Sequence, residues 1–173
     1  MFQNTEFNYS IFYFQNALSA NAETFDAFSK IKDKPKIKKT HLFNDRYENI
    51  YIDKENIPTL IPILNFANQC AQKILNLKTE LNTGYWFNDM PPLSVTIPHT
   101  HDDDDELLSG VFYINVPENS GNLILTASKK TKTIIPQEGQ LILFKADCLH
   151  EVSTNNSQQH RLSIGINFGL NQD

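Results

Sequence analysis

The second half of the chain, from Gly84 onward, is a series of short apolar or alternating runs separated by turn residues. Pro, Gly, Asn and Asp dominate the separating segments and favour the dihedral angles of tight turns. Closely spaced runs of this length are typical of strands in a compact double-sheet structure. The predicted strands are 85–88, 94–97, 108–116, 123–126, 132–135, 140–144 and 161–168. We therefore predict a jelly-roll arrangement for this half.

The first half carries a helical signal. Apolar residues recur at three- and four-residue steps at Leu60, Ile63, Leu64, Ala67, Ala71, Ile74 and Leu75. This pattern predicts an amphipathic helix of four or five turns, entered near Pro58 and ending by Asn76, that packs against the outside of a sheet. A second helix is predicted over 21–31, capped by Asn21. Short strands are predicted at 7–14 and 47–52, so the chain is mainly β with flanking helices, and residues 1–80 act as a support region.

Length and charge limit the function classes. A chain of 173 residues is expected to form one domain, residues 1–173. Its net charge of −5 and pI near 5.5 argue against a nucleic-acid partner, which requires a basic face. The basic run 30–39 is interpreted as a solvated loop. Cys70 and Cys148 are expected to be free thiols, and no segment reaches the roughly 18 apolar residues of a membrane span, so a cytoplasmic protein is expected.

Three residues suggest metal chemistry. His101 and Asp103 are alternate residues, so on an extended segment both side chains point to one side. His150 follows an apolar run after a short turn, near the end of a predicted strand. Two imidazoles and one carboxylate can occupy one face of Fe(II) and leave open positions for co-substrate and O₂.

The predicted last strand has one polar face and one apolar face. Alternation places Arg161, Ser163, Gly165 and Asn167 together and the intervening Leu162, Ile164, Ile166 and Phe168 opposite. An arginine in such an interior strand requires an anionic partner, and a bound dicarboxylate would provide one. Trp86, Phe87 and Asn88 precede the metal motif and are expected to border the pocket.

Each of these features has an ordinary explanation when taken alone. The acidic run 102–106 can be a solvated loop, His150 a hydrogen-bonded structural residue, and Arg161 a salt-bridged surface residue. His41 and His160 are interpreted as structural or exposed. The order of these residues within a β-rich half favours one shared site.

The same half resembles the Fe(II)- and 2-oxoglutarate-dependent dioxygenases, in particular a small bacterial and phage group. The matching segments are His-Asp-Asp at 101–103, Ser-Gly-Val-Phe-Tyr-Ile at 109–114, Pro-Gln-Glu-Gly-Gln-Leu-Ile-Leu-Phe at 136–144, His150, and Arg-Leu-Ser at 161–163. The resemblance covers roughly residues 84–170 and implies a double-stranded β-helix, of the jelly-roll or cupin-like kind. No resemblance is evident for the first half.

The resemblance also implies the roles of residues. His101, Asp103 and His150 would bind Fe(II), and Arg161 would bind the distal carboxylate of 2-oxoglutarate, assisted by Ser163 and Tyr113. The implied activity consumes O₂ and 2-oxoglutarate, releases succinate and CO₂, and hydroxylates a substrate, for which the short chain favours a small molecule. The sequence does not indicate an oligomeric state.

The sequence leaves alternatives both for the third metal ligand and for the function. His99 and His101 also form a His-x-His pair, but ungapped alignment to Ser109 and Gly110 places the first family histidine on His101 and the acid on Asp103. His99 would then be an outer-sphere residue. A cupin-type metalloprotein that does not use 2-oxoglutarate, or a non-enzymatic β-sandwich binding module, are the rival functions.

Overall fold

The computed structural model describes residues 1–101 and 105–171 as eleven strands and two helices. In chain order these are β1 (Tyr9–Tyr13), α1 (Ala17–Ile31), β2 (Lys38–Phe43), β3 (Arg46–Tyr51), α2 (Leu60–Leu75), β4 (Leu81–Met90), β5 (Thr96–His99), β6 (Glu106–Asn115), β7 (Leu123–Ala127), β8 (Lys130–Ile134), β9 (Gln140–Lys145), β10 (Leu149–Val152) and β11 (Arg161–Leu170).

The strands form two antiparallel sheets. The large sheet has the order β1-β9-β6-β11-β4-β3-β2, and the small sheet has the order β5-β10-β7-β8. From β4 to β11 the chain changes sheet at every connection except the β7–β8 hairpin. This alternation between facing sheets is the double-stranded β-helix, and it confirms the predicted fold class of a mainly β protein with flanking helices.

Two apolar cores lie on opposite faces of the large sheet. The larger one packs α1 and α2 against it, and Leu162, Ile164, Ile166 and Phe168 of β11 all belong to it. The smaller one lies between the two sheets and includes Tyr113, Ile142 and Phe144. The predicted alternation along β11 is therefore confirmed, because the apolar residues face the helices and Arg161, Ser163 and Gly165 face the small sheet.

Helix α1 begins four residues earlier than the sequence predicts, and Asn21 is not its cap. Asn16 occupies the N-cap position without a side-chain capping bond. Asn21 lies in the second turn, is buried, and donates from Nδ2 to the carbonyls of Tyr113 and Ile114 on β6. The side chain therefore fastens the helix to the large sheet instead of closing its first turn.

The sequence predicted neither β2 nor β10. Strand β2 begins within the basic run 30–39, where the charged residues give no apolar alternation, and His41 within it adopts a left-handed φ of 57°. Strand β10 has only four residues. Within the described part of the chain, no helix combines the length and the apolar character that crossing a membrane requires.

Candidate active site

A cavity of about 380 Å³ lies between the two sheets and is lined by residues of both. Its floor is the inner face of the large sheet, formed by residues of β4, β6, β9 and β11. Three histidines line one part of it and Arg161 lines another part. A wider cleft adjoins the cavity and shares His41, Asn49, Trp86 and His101 with it.

The three histidines form a compact cluster. Strands β5 and β10 pair so that His99 and His150 are direct partners, and His101 follows two residues after β5 ends. One potential ligand nitrogen from each of His99, His101 and His150 can be chosen so that all three lie within 4.8 Å of one another. A set of imidazoles with this spacing fits a divalent transition metal.

The Nδ1 atoms of two of these rings face backbone carbonyls. Nδ1 of His99 lies 2.9 Å from the carbonyl of Ile97, and Nδ1 of His150 lies 2.9 Å from the carbonyl of Cys148. A carbonyl oxygen can only accept, so each Nδ1 carries the proton, and the Nε2 lone pair of a neutral ring is left to bind a metal.

His150 is in the neutral form that metal binding requires. Burial lowers its pKa to about 3, and the neighbouring rings of His99 and His101 act in the same direction, while the Cys148 carbonyl opposes them. The ring of Phe144, centred 4.7 Å away, supplies part of the apolar wall that keeps water from it.

Arg161 is fully buried and lacks an anionic partner among the described residues. Nη1 donates to the Gly121 carbonyl at 3.2 Å, Nη2 contacts Sδ of Met90 at 2.8 Å, and Nε has no partner. Burial lowers the pKa of this guanidinium. A buried cation without a counter-charge is costly, so the site favours an anionic ligand.

Tyr113 completes the polar end of the cavity. Its ring lies 5.7 Å from Cζ of Arg161, and its buried hydroxyl has no hydrogen-bond partner in the part of the chain that the structure describes. Burial raises the pKa of Tyr113 to about 12, against the opposing effect of the Arg161 charge, so the phenol remains a donor at neutral pH. Two unsatisfied donors beside one cavity fit a carboxylate group, as the distal end of 2-oxoglutarate requires.

Trp86 separates the cavity from the adjoining cleft. Its indole lines both spaces, with its ring centre 5.5 Å from that of His101, and it packs against Gly165. Asn88 also lines the cavity, whereas Phe87 points to the opposite face and lies in the larger core. The expectation that all three border the pocket is therefore wrong for Phe87, because alternation on β4 turns it to the helices.

The structure brings five of the six residues predicted for the site to this cavity. His101, His150, Tyr113, Arg161 and Ser163 all line it, whereas Asp103 lies outside the described residues. His99 joins the cluster of His101 and His150 instead of standing behind it. His41 also lines the cavity, where Nδ1 bonds to Thr40 and Asn49. Its position depends on β2, which the local sequence did not reveal.

A family model described as the 2OG-Fe(II) oxygenase superfamily matches residues 86–169. The match begins in β4 at Trp86 and ends in β11, so it contains both the histidine cluster and Arg161. No curated protein sequence is significantly similar to the chain.

Solved structures of several oxygenases share the fold. A prolyl-4-hydroxylase from Pseudomonas putida is 18% identical with a TM-score of 0.67, over 95% of this chain and 89% of that one. The α-ketoglutarate-dependent carbocyclase SnoK from nogalamycin biosynthesis is 13% identical with a TM-score of 0.75, over 95% and 80%. A prolyl hydroxylase from Trichoplax adhaerens is 17% identical with a TM-score of 0.67, over 96% and 84%.

The similarity to these solved structures establishes only the fold. The match to the family model indicates the cofactor and the co-substrate. Its members are oxidoreductases that use Fe(II) and 2-oxoglutarate, and the donors described above fit both groups. Through residues 86–169, the chain belongs to the 2OG-Fe(II) oxygenase superfamily.

Proposed function

We propose that this protein is an Fe(II)- and 2-oxoglutarate-dependent hydroxylase of a small molecule. The observation that carries the proposal is the buried guanidinium of Arg161, without an anionic partner among the described residues, in the same cavity as a cluster of histidines. A cupin-type metalloprotein that does not use 2-oxoglutarate would have no need for this arginine. Its placement therefore favours a dicarboxylate co-substrate.

In this proposal His101 and His150 bind Fe(II), and the third protein ligand is either Asp103 or His99. Bound Fe(II) supplies open positions for the 2-oxo acid and O₂. One oxygen atom of O₂ enters succinate, as CO₂ leaves, and the other enters a C–H bond of the substrate as a hydroxyl group. Residues 1–173 act as one domain, with 1–80 supporting the β-structure.

The protein's own residues bind and orient the co-substrate. Arg161 and Tyr113 donate hydrogen bonds to its distal carboxylate, and Ser163, two residues along the same strand face, assists. Phe144 and Leu123 exclude water from the reacting end. The substrate enters through the adjoining cleft, past Trp86, because that space is the wider of the two and shares His101 with the cavity.

An anaerobic titration with Fe(II) and 2-oxoglutarate tests this proposal. We expect the weak visible charge-transfer band of a chelated 2-oxo acid, followed by slow succinate formation without substrate once O₂ is admitted. His150→Ala should abolish the band, and Arg161→Ala should require a much higher 2-oxoglutarate concentration. If wild-type protein gives neither the band nor succinate, the proposal fails.

A further inference from the structure

We infer that His99, rather than Asp103, is the third protein ligand of the metal, so that the centre consists of three histidines. This inference rests on the proposed function and deepens it. The ring of His99 is centred 4.2 Å from that of His150 and 4.9 Å from that of His101. With the ring of His101 centred 5.2 Å from that of His150, the three imidazoles surround one small volume.

The strand register supports this ligand set. His99 and His150 are Cα partners in the antiparallel pair of β5 and β10. Directly opposed residues of two antiparallel strands project to the same side of the sheet. The pairing of β5 with β10 therefore directs the side chains of both His99 and His150 to the cavity. The orientation of His99 is fixed by a strand and not by a loop.

The outer hydrogen bonds of the two rings are also equivalent. In each case Nδ1 bonds the carbonyl two residues earlier in the chain, which is Ile97 for His99 and Cys148 for His150. Such a bond fixes the ring tautomer and its orientation, as is usual for metal-binding histidines. A histidine with only a surface role would not need the Nδ1 hydrogen bond that orients the ring of His150.

The spacing rule that selected Asp103 applies equally to His99. Alternate residues of an extended segment share a side, which pairs His101 with either neighbour two positions away. The strand ends at His99 on one side, and the backbone N–H of His101 donates to the carbonyl of Ala146 at 2.9 Å. His99 therefore meets the same spacing rule from within a strand whose partner carries His150.

A three-histidine set changes the charge balance of the centre. Three neutral imidazoles leave the full charge of a divalent ion, whereas a carboxylate ligand would offset part of it. The first negative ligand would then be 2-oxoglutarate itself. Binding of the metal and of 2-oxoglutarate should therefore be strongly coupled, each raising the affinity for the other by the same factor.

Cobalt binding to the full-length protein tests the ligand assignment without relying on turnover. Co²⁺ is titrated into wild type, His99→Ala and Asp103→Ala, and its visible absorption gives the affinity. We expect His99→Ala to weaken binding by about 100-fold or more, since even outer-shell changes cost 10–100-fold. Asp103→Ala and the control His41→Ala, which removes another histidine lining the cavity, should bind Co²⁺ like wild type.

The paramagnetically shifted ring N–H signals of the Co²⁺ protein count the bound histidines directly. Wild type should show one signal more than His99→Ala. His99→Glu, whose carboxylate can reach the position of Nε2, should recover affinity, and its Co²⁺ affinity should rise less on adding 2-oxoglutarate than that of wild type. His99→Asn keeps a donor at the position of Nδ1 for the Ile97 carbonyl and replaces the alanine variant if the latter does not fold.

The outcomes separate the inference from the function. If Asp103→Ala loses the metal while His99→Ala retains it, His99 is not a ligand and the proposed function is unaffected. Equal losses in both variants would also overturn a centre built from histidines alone. If wild-type protein binds no Co²⁺ or Fe²⁺, the proposed function itself is overturned.

Discussion

Gly165 provides the space that the indole of Trp86 occupies beside the metal cluster. A Cβ atom at this position would lie 2.5 Å from Cε2 and 2.7 Å from Nε1 of Trp86. The ring would have to move, and it is one wall between the cavity and the cleft. The absence of a side chain on β11 therefore sets the position of a large side chain on β4.

We expect Gly165→Ala to lower the free energy of unfolding by about 1–3 kcal/mol, the usual cost of overpacking. The emission of Trp86, which is the only tryptophan of the chain, should shift as its ring moves. Urea denaturation and the fluorescence spectrum of the folded protein measure both effects.

Gly84→Ala is the matched control, since Gly84 lies on the adjacent strand β4 and has no atom within 4 Å of the position of a Cβ. It should change stability by no more than about 0.5 kcal/mol. Identical stabilities and spectra for the two variants would contradict this account of Trp86.

At the residue scale, the sequence predicts the position of a side chain where that position depends only on neighbours in the same strand. Arg161 was selected because a charge begins an otherwise interior strand, and alternation alone gives the face it lies on. The place of His99 instead depends on its partner on β10, fifty-one residues away in the chain. Local sequence patterns do not predict which distant strands pair. The alignment of a motif therefore could not decide between His99 and Asp103 as the metal ligand.

At the scale of elements, Asn21 shows how a helix is held to a sheet. Its Nδ2 atom donates to the carbonyls of Tyr113 at 3.0 Å and Ile114 at 2.9 Å, at the end of β6 that carries the site tyrosine. The residue is buried within α1. Removing the amide leaves the Ile114 carbonyl without this donor, whereas the Tyr113 carbonyl still accepts from Gly139.

Asn21→Ala should therefore destabilise the protein by about 1–3 kcal/mol, the cost of a lost buried hydrogen-bond partner. Asn16→Ala provides the comparison, because Asn16 holds the N-cap position of α1 but makes no capping bond and is exposed. It should be nearly neutral in the same chemical denaturation. A larger loss for Asn16→Ala would mean that Asn21 is dispensable and the helix end is not.

The elements that sequence patterns predict well are those with a regular apolar face. Helix α2, Leu60–Leu75, lies within the predicted limits of Pro58 and Asn76, because its buried residues repeat at helical spacing. The predicted start of α1 is too late because Asn21 is a polar residue on the buried face, and a polar side chain before an apolar pattern resembles a cap. Its two carbonyl partners on β6 are distant in sequence and could not be inferred.

At the scale of the whole molecule, one face of the large sheet carries the main apolar core and the other face carries residues of the candidate site. The face that packs on α1 and α2 is apolar. The face toward the small sheet carries Arg161 and Tyr113, each with a buried polar atom that has no hydrogen-bond partner among the described residues. Buried groups of this kind reduce stability unless a ligand satisfies them. We infer that the helix-covered core compensates for the cost of a site that is incomplete without its co-substrate.

Replacing Arg161 with methionine tests this division. Methionine fills a similar buried volume without a charge, so the ligand-free Arg161→Met protein should be at least as stable as wild type.

Zn²⁺ with 2-oxoglutarate at about 100 times its dissociation constant should stabilise wild type by about 2.7 kcal/mol. The variant should lose the part of this gain that requires 2-oxoglutarate. Thermal melting with metal alone, and with metal and 2-oxoglutarate, measures the difference. If the ligand-free variant is strongly destabilised instead, the bonds of Arg161 to Gly121 and Met90 are structural, and the lack of an anionic partner for Arg161 among residues 1–101 and 105–171 carries no cost that a ligand relieves.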